Sequence, residues 1–404
     1  MSEADIKPVR KRYHALDSGR AIMLLLGIPF HISEMYRISG GWVIDSGEQS
    51  FLASLITAVV HSFRMPGFFI LAGFFAAMLL DRRSPKDWMK NRLTRLLIPL
   101  LASLLALGGW EVYWANLGTG MTSAEAFADT LTTFPFTWVN HRWFIVVLLV
   151  YCCAIALYYT VRASLPDRFH SKMRRLFCHP FAVLVFLPLV APFAGIVLAK
   201  VLGNDITGPY LRNIVSYAPL FFAGAVIFQD RKLYDAIFQP GAIQRLLAVL
   251  LLLIYCLTYF AFYKDGLGSG WTKTAATVVH LAASGIGGVL ISSLFFFYIF
   301  KFFDKPNPII RYFVSGSLVM YLAHEAFFRP MGVIFQTISF SAELEMLIIN
   351  VLTLVGVVLT FEIVRRYAVT RYLFNGGSIS PPLPDHMILT SNFRADIAKK
   401  AAKA

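Results

Sequence analysis

Long, nearly uninterrupted runs of apolar residues recur along the whole chain. A helix needs about 20 apolar residues to span the hydrocarbon of a bilayer. Ten such segments can be drawn: 17–36, 52–80, 93–114, 142–162, 180–200, 210–229, 243–263, 273–301, 311–339 and 345–368. Only 15% of the residues are charged, whereas a soluble domain carries about 25%. The sequence therefore predicts an all-α integral membrane protein, a bundle of about ten transmembrane helices.

Lysine and arginine concentrate in alternate connections between these segments. They are frequent in the N-terminal tail, in 81–92, 163–179, 230–242 and 302–310, and after Arg365, whereas 115–141 contains none. This alternation is the positive-inside pattern of membrane proteins, and it accounts for the net charge of +14 without a nucleic-acid partner. We therefore predict cytoplasmic tails over 1–15 and 372–404, flanking one transmembrane domain over 16–371 with both termini in the cytoplasm.

The sequence also predicts which common features the protein lacks. The basic start "KPVRKRYH" leads into an apolar segment without a small-residue cleavage site, so no cleaved signal peptide is expected. The four cysteines, Cys152, Cys153, Cys178 and Cys256, lack the spacing of a metal site or a disulfide framework. We expect no metal ion and no tightly bound cofactor.

The first segment, "LDSGRAIMLLLGIPFHIS", carries ionisable groups where water is scarce. Eleven helical steps place Arg20 and His31 about 20° apart around the axis and ~16 Å apart along it. Asp17 lies one turn before Arg20 and is expected to pair with it, and Glu34 lies one turn beyond His31. Pro29 should interrupt the helix beside His31. The alternative interpretation is an arginine–aspartate clasp and a packed core histidine.

Three other segments carry imidazole or charged groups: His61 and Arg64 in the second, His141 and Arg142 at the start of the fourth, and His324 and Glu325 in the ninth. Ionisable groups inside a membrane are costly and are functional-site candidates by default. For Arg64 the alternative is a structural ion pair, and for His141 and Arg142 it is anchoring at the membrane interface. A layer of such groups predicts a polar cavity that binds a ligand or moves a proton.

These residue types suit acyl transfer to a hydroxyl. A histidine can take the hydroxyl proton as general base, and an arginine can hold a carboxylate or a developing oxyanion. No serine nucleophile elbow, phosphate-binding loop or zinc signature is visible, which favours direct transfer over a covalent serine intermediate. On the cytoplasmic side, Arg82, Arg83, Arg92 and Arg95 are candidates for binding the phosphates of a donor. Ordinary positive-inside charge is the alternative for that segment.

The arginine and histidine separated by ten residues resemble the signature of the integral-membrane acyltransferase-3 family. Four stretches resemble it in order and spacing: "LDSGRAIMLLLGIPFHIS", "HSFRMPGFFILAGFF", "HRWFIVVLLV" and "YFVSGSLVMYLAHEAF". Together they extend the resemblance from Leu16 to Arg371. Two positions depart from it, because Ala72 replaces a serine and Glu325 stands where a second histidine is expected.

The resemblance implies an enzyme of a bacterial inner membrane. It implies a donor such as succinyl-CoA on the cytoplasmic side, used as a co-substrate, and a glucan hydroxyl as acceptor on the periplasmic side. His31 would be the base or proton relay, with His324 and Glu325 as further catalytic candidates. The expected substrate-binding residues are Arg20, Arg64, His61, Glu34, His141 and Arg142. A glucan synthase is a further expected partner.

Three alternatives remain open at this point. The nearest is O-acetylation of another cell-envelope polysaccharide. The second is a transporter of a glycan or an acyl donor, because intramembrane histidines and arginines also build translocation paths. The third is a structural partner of a glucan synthase, in which the histidines carry no chemistry.

Overall fold

The computed structural model describes residues 14–38, 44–166, 168, 172, 179–202, 208–263, 271–338 and 340–377. Ten helices in it are long and apolar enough to cross a membrane, which confirms the predicted number, and within the described residues there is no β-strand. Spans 1 to 10 are His14–Ser33, Phe51–Leu80, Pro85–Gly118, Phe136–Val161, Ala182–Leu202, Tyr210–Ile227, Ala242–Phe260, Thr274–Phe303, Pro308–Phe335 and Ala342–Arg366. The protein is therefore a multi-pass membrane protein.

Several spans are parts of longer helices or are divided. Spans 6, 7 and 8 belong to the helices Gly208–Ile227, Ala242–Tyr263 and Trp271–Phe303. Span 3 consists of Pro85–Arg92, Ile98–Ser103 and Gly109–Gly118, joined by the π-helical turns Leu93–Leu97 and Leu104–Gly108. Shorter helices Ser123–Thr132, Arg231–Phe238 and Ala368–Asn375 lie outside the spans. Of the predicted tails, only residues 14–15 and 372–377 are described, and the cytoplasmic location of both termini stays a prediction.

Successive spans run in opposite directions, which gives the bundle two ends. We call the end where span 1 begins and span 10 ends the terminal face, and the other end the opposite face. At the terminal face, the backbone N–H of Ala15 in span 1 donates to Asp304, just after span 8. At the opposite face, Gln336, just after span 9, donates to the carbonyls of Asp45 and Gly118.

Two glycines bring spans 2 and 6 into backbone contact. A Cβ atom on Gly73 would lie 1.8 Å from the carbonyl oxygen of Phe221, and one on Gly224 would lie 2.0 Å from that of Ile70. Small residues at such positions let membrane helices approach closely. This contact fixes span 2, which carries His61 and Arg64, in the interior of the bundle.

Span 1 is interrupted at Leu26, three residues before Pro29 and not directly beside His31 as the sequence predicts. The helix His14–Leu25 and the helix Gly27–Ser33 meet at Leu26, whose own N–H still donates to the carbonyl of Ile22. Pro29 has no N–H to donate to the carbonyl of Leu25, so one helical hydrogen bond is lost at this point. The interruption separates the turn that carries Arg20 from the turn that carries His31.

Candidate functional site

Three histidines from three different spans meet in the interior of the bundle. The ring centroids of His31 and His324 are 5.2 Å apart, those of His141 and His324 are 4.8 Å apart, and those of His31 and His141 are 6.3 Å apart. All three side chains are buried. Because spans 1 and 9 approach the opposite face at these residues and span 4 begins there, the cluster lies in the half of the bundle nearer the opposite face.

The start of span 4 is shaped to bring its polar residues inward. The short helix Phe136–Val139 is followed by a 3-10 turn over Asn140–Arg142, and the long helix begins at Trp143. Asn140 has a φ of 41°, a left-handed conformation that asparagine tolerates better than most residues. As a result, the side chains of Asn140, His141 and Arg142 all point to the interior, and the two charged candidates are buried. Anchoring at the membrane interface does not fit this burial.

Arg142 is saturated by contacts within the protein. Its guanidinium forms a bidentate pair with Glu111 of span 3, with N–O distances of 2.8 and 2.7 Å. It also donates to the hydroxyl of Ser103 and to the carbonyls of Trp138 and Leu322. A bidentate, charge-assisted pair is among the strongest hydrogen-bonding arrangements in proteins. The predicted role of Arg142 as a substrate ligand would require one of these contacts to break.

Glu325 is the second buried carboxylate of the site, and each of its oxygens has a different neighbour. Oε2 accepts hydrogen bonds from the side-chain amide of Asn140, at 2.6 Å, and from Arg329 one helical turn away. Oε1 lies 3.1 Å from Nδ1 of His141. Arg329 in turn donates to the backbone carbonyl of Glu111 at 2.7 Å. We call Glu111, Arg142, Glu325 and Arg329 the ion-pair network, in which two positive charges balance two negative ones.

The tautomer of His324 follows from its hydrogen bond. Nδ1 lies 2.5 Å from the carbonyl oxygen of Tyr321, and a carbonyl can only accept, so Nδ1 carries the hydrogen. Nε2 of the neutral ring therefore presents its lone pair, and it makes no hydrogen bond to the part of the chain that the structure describes. A ring nitrogen of His324 lies in a group with a ring nitrogen of His31 and a carboxylate oxygen of Glu325, all within 4.8 Å of one another.

A small cavity of about 20 Å³ lies beside these histidines. Its polar lining comes from four spans, and the rest is aromatic or aliphatic: His31, Arg64, His141 and Tyr321, with Met23, Leu24, Met65, Phe68, Trp143 and Phe144. An apolar pocket with a few convergent polar groups is the usual form of a small-molecule site. The sequence prediction that His31 and Arg64 share a polar cavity agrees with this arrangement.

Arg64 differs from the other arginines of the site because its charge is not balanced. Its guanidinium lies 4.6 Å above the ring of Phe30. No carboxylate of the described residues lies within ion-pair distance of it. The nearest in electrostatic range is Glu34, which is buried and is itself paired with Arg37 at 3.3 Å. Counted over the described residues, the site therefore carries one positive charge without a paired carboxylate, and this charge faces the cavity.

Two overlapping groups of side chains have the separations of metal ligands. One is His31, His324 and Glu325, and the other is Glu111, His141 and Glu325. Both depend on carboxylates that already neutralise the arginines of the ion-pair network. A divalent cation would compete with those arginines and would add to the uncompensated charge of Arg64. The donor set therefore suits proton transfer and anion binding better than it suits a metal.

His61 lies next to this site but is not part of the histidine cluster. Its Nδ1 is 2.8 Å from the hydroxyl of Tyr255 in span 7, and its ring stacks on Phe30 with centroids 5.9 Å apart. Phe30 thus stands between His61 and the cavity wall formed by Arg64. The predicted common depth of the intramembrane groups agrees with the contacts of His31 with His141 and His324, whereas His61 belongs to a neighbouring patch.

Arg20 lies towards the terminal face, at the other end of span 1 from His31. Its Nη2 is 3.7 Å from Asp17, as the spacing predicts, and its guanidinium stands 5.4 Å from the centre of the Phe75 ring. Arg92 of span 3 is half-buried on the ring of Trp88 and lies in electrostatic range of Arg20. The arginine and the histidine of the first span therefore serve different ends of the bundle.

The other basic candidates surround Arg92. Arg83 and Arg95 lie in electrostatic range of it. Arg82, Arg83 and Arg95 are exposed at the terminal face. We call Arg20, Arg82, Arg83, Arg92 and Arg95 the arginine cluster. Its members lie on span 1, at the end of span 2 and at the start of span 3, so the fold gathers them around one region of the surface.

Four residues of the site were not predicted from the sequence: Glu111, Asn140, Tyr321 and Arg329. Arg329 could have been found, because Glu325 and Arg329 are four residues apart and therefore neighbours on one helical face. Glu111 is the one carboxylate of the apolar segment 93–114, and a carboxylate inside a membrane is itself a signal of function. Its partner, Arg142, lies in another span, and no local spacing predicts that pairing.

The family comparison assigns nearly the whole chain. The family model for an acyltransferase domain of type 3 matches residues 13–364. Glucans biosynthesis protein C of Escherichia coli (strain K12) is 27% identical over 383 residues, which cover 92% of this chain and 96% of that protein. The protein of the same name from Shigella dysenteriae serotype 1 (strain Sd197) shows the same identity and coverage. No solved structure matches the chain.

Proposed function

We propose, from the premise that this chain belongs to the acyltransferase-3 family, that it transfers succinyl groups from succinyl-CoA to hydroxyls of a glucan. The observation that carries the proposal is the cavity where His31 and the uncompensated charge of Arg64 face the same space. The similarity to glucans biosynthesis protein C supports a glucan acceptor. The protein would work in the inner membrane of a bacterium, with the donor in the cytoplasm and the acceptor in the periplasm.

His31 is the general base in this proposal. It lines the cavity, it lies in the half of the bundle nearer the opposite face, and the other histidines of the cluster surround it. An acceptor hydroxyl that enters from the opposite face would meet it first. A general base contributes typically about 10²–10⁴-fold to the rate of a reaction.

Arg64 selects the donor by its charge. A succinyl group ends in a carboxylate, and an arginine fork binds a carboxylate through two parallel hydrogen bonds. The apolar surroundings strengthen this attraction because they exclude water. An acetyl group has no carboxylate and would gain nothing from Arg64. The uncompensated charge therefore favours a dicarboxylic acyl group over a simple one.

The arginine cluster provides a place for the coenzyme A phosphates at the terminal face. Arg20 and Arg92 come from different spans and lie in electrostatic range of each other. Like charges gathered in this way repel one another unless an anion joins them. In this proposal, span 1 contacts both ends of the donor. Arg20 in its terminal half meets the coenzyme A phosphates, and His31 in its other half lies where the acyl group is transferred.

The test uses purified protein in liposomes, supplied with glucan and with acyl-CoA that carries a labelled acyl group. We expect label to appear on glucan as an alkali-labile ester, faster from succinyl-CoA than from acetyl-CoA, and to disappear with His31→Gln. Faster transfer from acetyl-CoA would instead support an O-acetyltransferase. Label that crosses the membrane without forming an ester would indicate a transporter, and no ester from either donor would overturn the proposal.

A further inference from the structure

We propose that Glu325 and His141 form a carboxylate–histidine pair, and that this pair receives the proton that His31 removes from the acceptor. The proton would pass through His324. This inference rests on the proposed acyl transfer and adds His141 to it as a second proton-carrying residue. Three observations support it: the close contact of Glu325 with the His141 ring, the distribution of charge around the two ends of the histidine cluster, and the position of His324.

Glu325 lies against the His141 ring. Its Oε1 is 3.1 Å from Nδ1 of His141, while Asn140 and Arg329 hold Oε2. Neither Oε1 nor Nδ1 has a hydrogen-bond partner among the described residues, so a proton on His141 would turn this close contact into a charged pair. Nε2 makes no hydrogen bond to any group of the described residues, and the ring lines the cavity. A carboxylate that orients a histidine for proton transfer is the arrangement used in hydrolytic triads.

The charges around the cluster differ between its two ends. Arg64 lines the cavity together with both His31 and His141, and a ring nitrogen of His31 lies within 4.8 Å of a Glu325 carboxylate oxygen. Glu325 stands at hydrogen-bond distance from His141, so a positive charge on His141 would be stabilised. The ion-pair network keeps Glu325 in place for this purpose, because Arg329 and Asn140 occupy its other oxygen. A proton taken up at His31 therefore has an electrostatic reason to move to His141.

His324 lies between the other two histidines. Its ring centroid is 5.2 Å from that of His31 and 4.8 Å from that of His141, both shorter than the direct separation of 6.3 Å. Its Nδ1 hydrogen is committed to the carbonyl of Tyr321, so Nε2 is the atom that accepts and releases the proton. The backbone holds His324 through Nδ1 only, which leaves Nε2 without a hydrogen bond to the described residues.

The complete transfer balances without another reactant. The acceptor oxygen forms a bond with the acyl carbon while His31 takes the hydroxyl proton, and the carbon–sulfur bond breaks with its electron pair moving to sulfur. The proton passes from His31 to His324 and then to His141. The His141 imidazolium, stabilised by Glu325, finally gives the proton to the thiolate. The products are the acyl ester and free thiol, and all three histidines return to their neutral form.

The test measures transfer in single turnovers with purified variants whose thermal unfolding in detergent matches that of the wild type. His141→Gln and Glu325→Gln should lower the rate of transfer by about 10²-fold or more, with donor binding unchanged. Added imidazole should restore part of the rate to His141→Ala, and this rescue should be lost in the double variant His141→Ala/Glu325→Gln. His280→Gln, which changes a histidine of span 8 outside the cluster, is the matched control and should be as active as the wild type.

A second donor separates the two proton-transfer roles. A succinyl thioester whose thiol has a lower pKa than coenzyme A needs less help from an acid when the thiolate leaves. The loss of transfer rate in His141→Gln should therefore be smaller with this donor, whereas the loss in His31→Gln should persist.

Rates of His141→Gln and Glu325→Gln within about threefold of wild type would overturn the relay. If wild type itself transfers nothing, the proposed function fails, and this result is distinct from a failure of the relay. Should Glu325→Gln not fold, absence of imidazole rescue in folded His141→Ala decides against the proposal.

Discussion

Arg142 and Arg64 border the same histidine cluster, yet their surroundings are opposite. Arg142 is fully buried, and Glu111, a hydroxyl and two backbone carbonyls occupy its guanidinium. Arg64 faces the cavity, with an aromatic ring on one side and no carboxylate of the described residues within ion-pair distance. The contacts of Arg142 hold three spans together, whereas the charge of Arg64 is left to bind a ligand that enters the cavity.

This difference separates structural from functional arginines without reference to any relative. A buried ion pair repays its desolvation only when its geometry is good and its remaining hydrogen bonds are satisfied, as they are for Arg142. A charge left uncompensated near the middle of a membrane protein is expensive, and such groups mark binding or transport sites. Changes in the pair of Arg142 with Glu111 should therefore alter stability, whereas changes in the cavity should alter chemistry.

The largest expected effect is on the rate, from a change in the cavity wall. His31→Gln keeps a polar side chain of similar length but removes the base, so single-turnover transfer should fall by about 10²–10⁴-fold. Thermal unfolding in detergent and binding of acyl-CoA should remain those of the wild type. A transfer rate within a few-fold of wild type, from protein that is correctly folded, would make His31 a packed core histidine.

The next largest effect is on stability, from a change in the ion-pair network. Arg142→Met leaves the carboxylate of Glu111 buried without its bidentate partner, and breaking a buried pair in this way typically costs about 3–5 kcal/mol. We expect a large fall in the unfolding temperature in detergent. The control is the double variant Arg142→Met/Glu111→Leu, which removes both charges and should recover much of the loss. An unchanged unfolding temperature in the single variant would contradict the structural role.

The sequence predicts the architecture well because the physical signal is local. Apolar runs define all ten spans, and the interruption at Leu26 follows from the N–H that Pro29 lacks. The boundary that differs most is the start of span 3, which lies at Pro85 instead of 93. There the hydroxyl of Ser84 caps the helix by accepting from the N–H of Asp87 at 3.1 Å, so a polar turn precedes the apolar run.

The site is only partly predictable, for a geometric reason. Spacing along one helix predicts Asp17 with Arg20 and would predict Glu325 with Arg329. Depth in the membrane predicts that His31 and His324 lie at one level. Neither rule says which faces of different helices meet, so the pairing of Glu111 with Arg142 is visible only in the fold. For the same reason the sequence could not show that Phe30 separates His61 from the cavity.

A smaller and more selective effect is expected at Arg64. Hydrogen bonds to charged groups contribute about 1.5–3 kcal/mol, so Arg64→Met should weaken the use of succinyl-CoA by about 10–100-fold. Arg64→Lys keeps the charge but loses the planar fork, and should recover only part of this loss. Transfer from acetyl-CoA should change little in both variants, because an acetyl group offers no carboxylate. Equal losses with the two donors would show that Arg64 does not recognise the succinyl carboxylate.

The smallest expected effect is at the arginine cluster, where charges are closer to solvent than in the cavity. The pair of Arg20 with Asp17 has an N–O distance of 3.7 Å and is partly exposed, and such pairs contribute about 0–1 kcal/mol to stability. Arg20→Ala should therefore leave the unfolding temperature almost unchanged. If Arg20 meets the coenzyme A phosphates, the variant should raise the KM for acyl-CoA several-fold with kcat preserved, and the difference from wild type should shrink as salt screens the charges.

Arg231→Ala is the matched control for this measurement. Arg231 also pairs with an aspartate on its own helix, Asp235, at 3.0 Å, and it lies at the terminal face just after span 6 without being one of the five arginines of the cluster. Both variants remove one positive charge from the same end of the bundle, so a general effect of surface charge would change KM equally in the two. A rise in KM confined to Arg20→Ala locates the phosphates at the arginine cluster, whereas equal KM values in the two variants would remove Arg20 from the donor site.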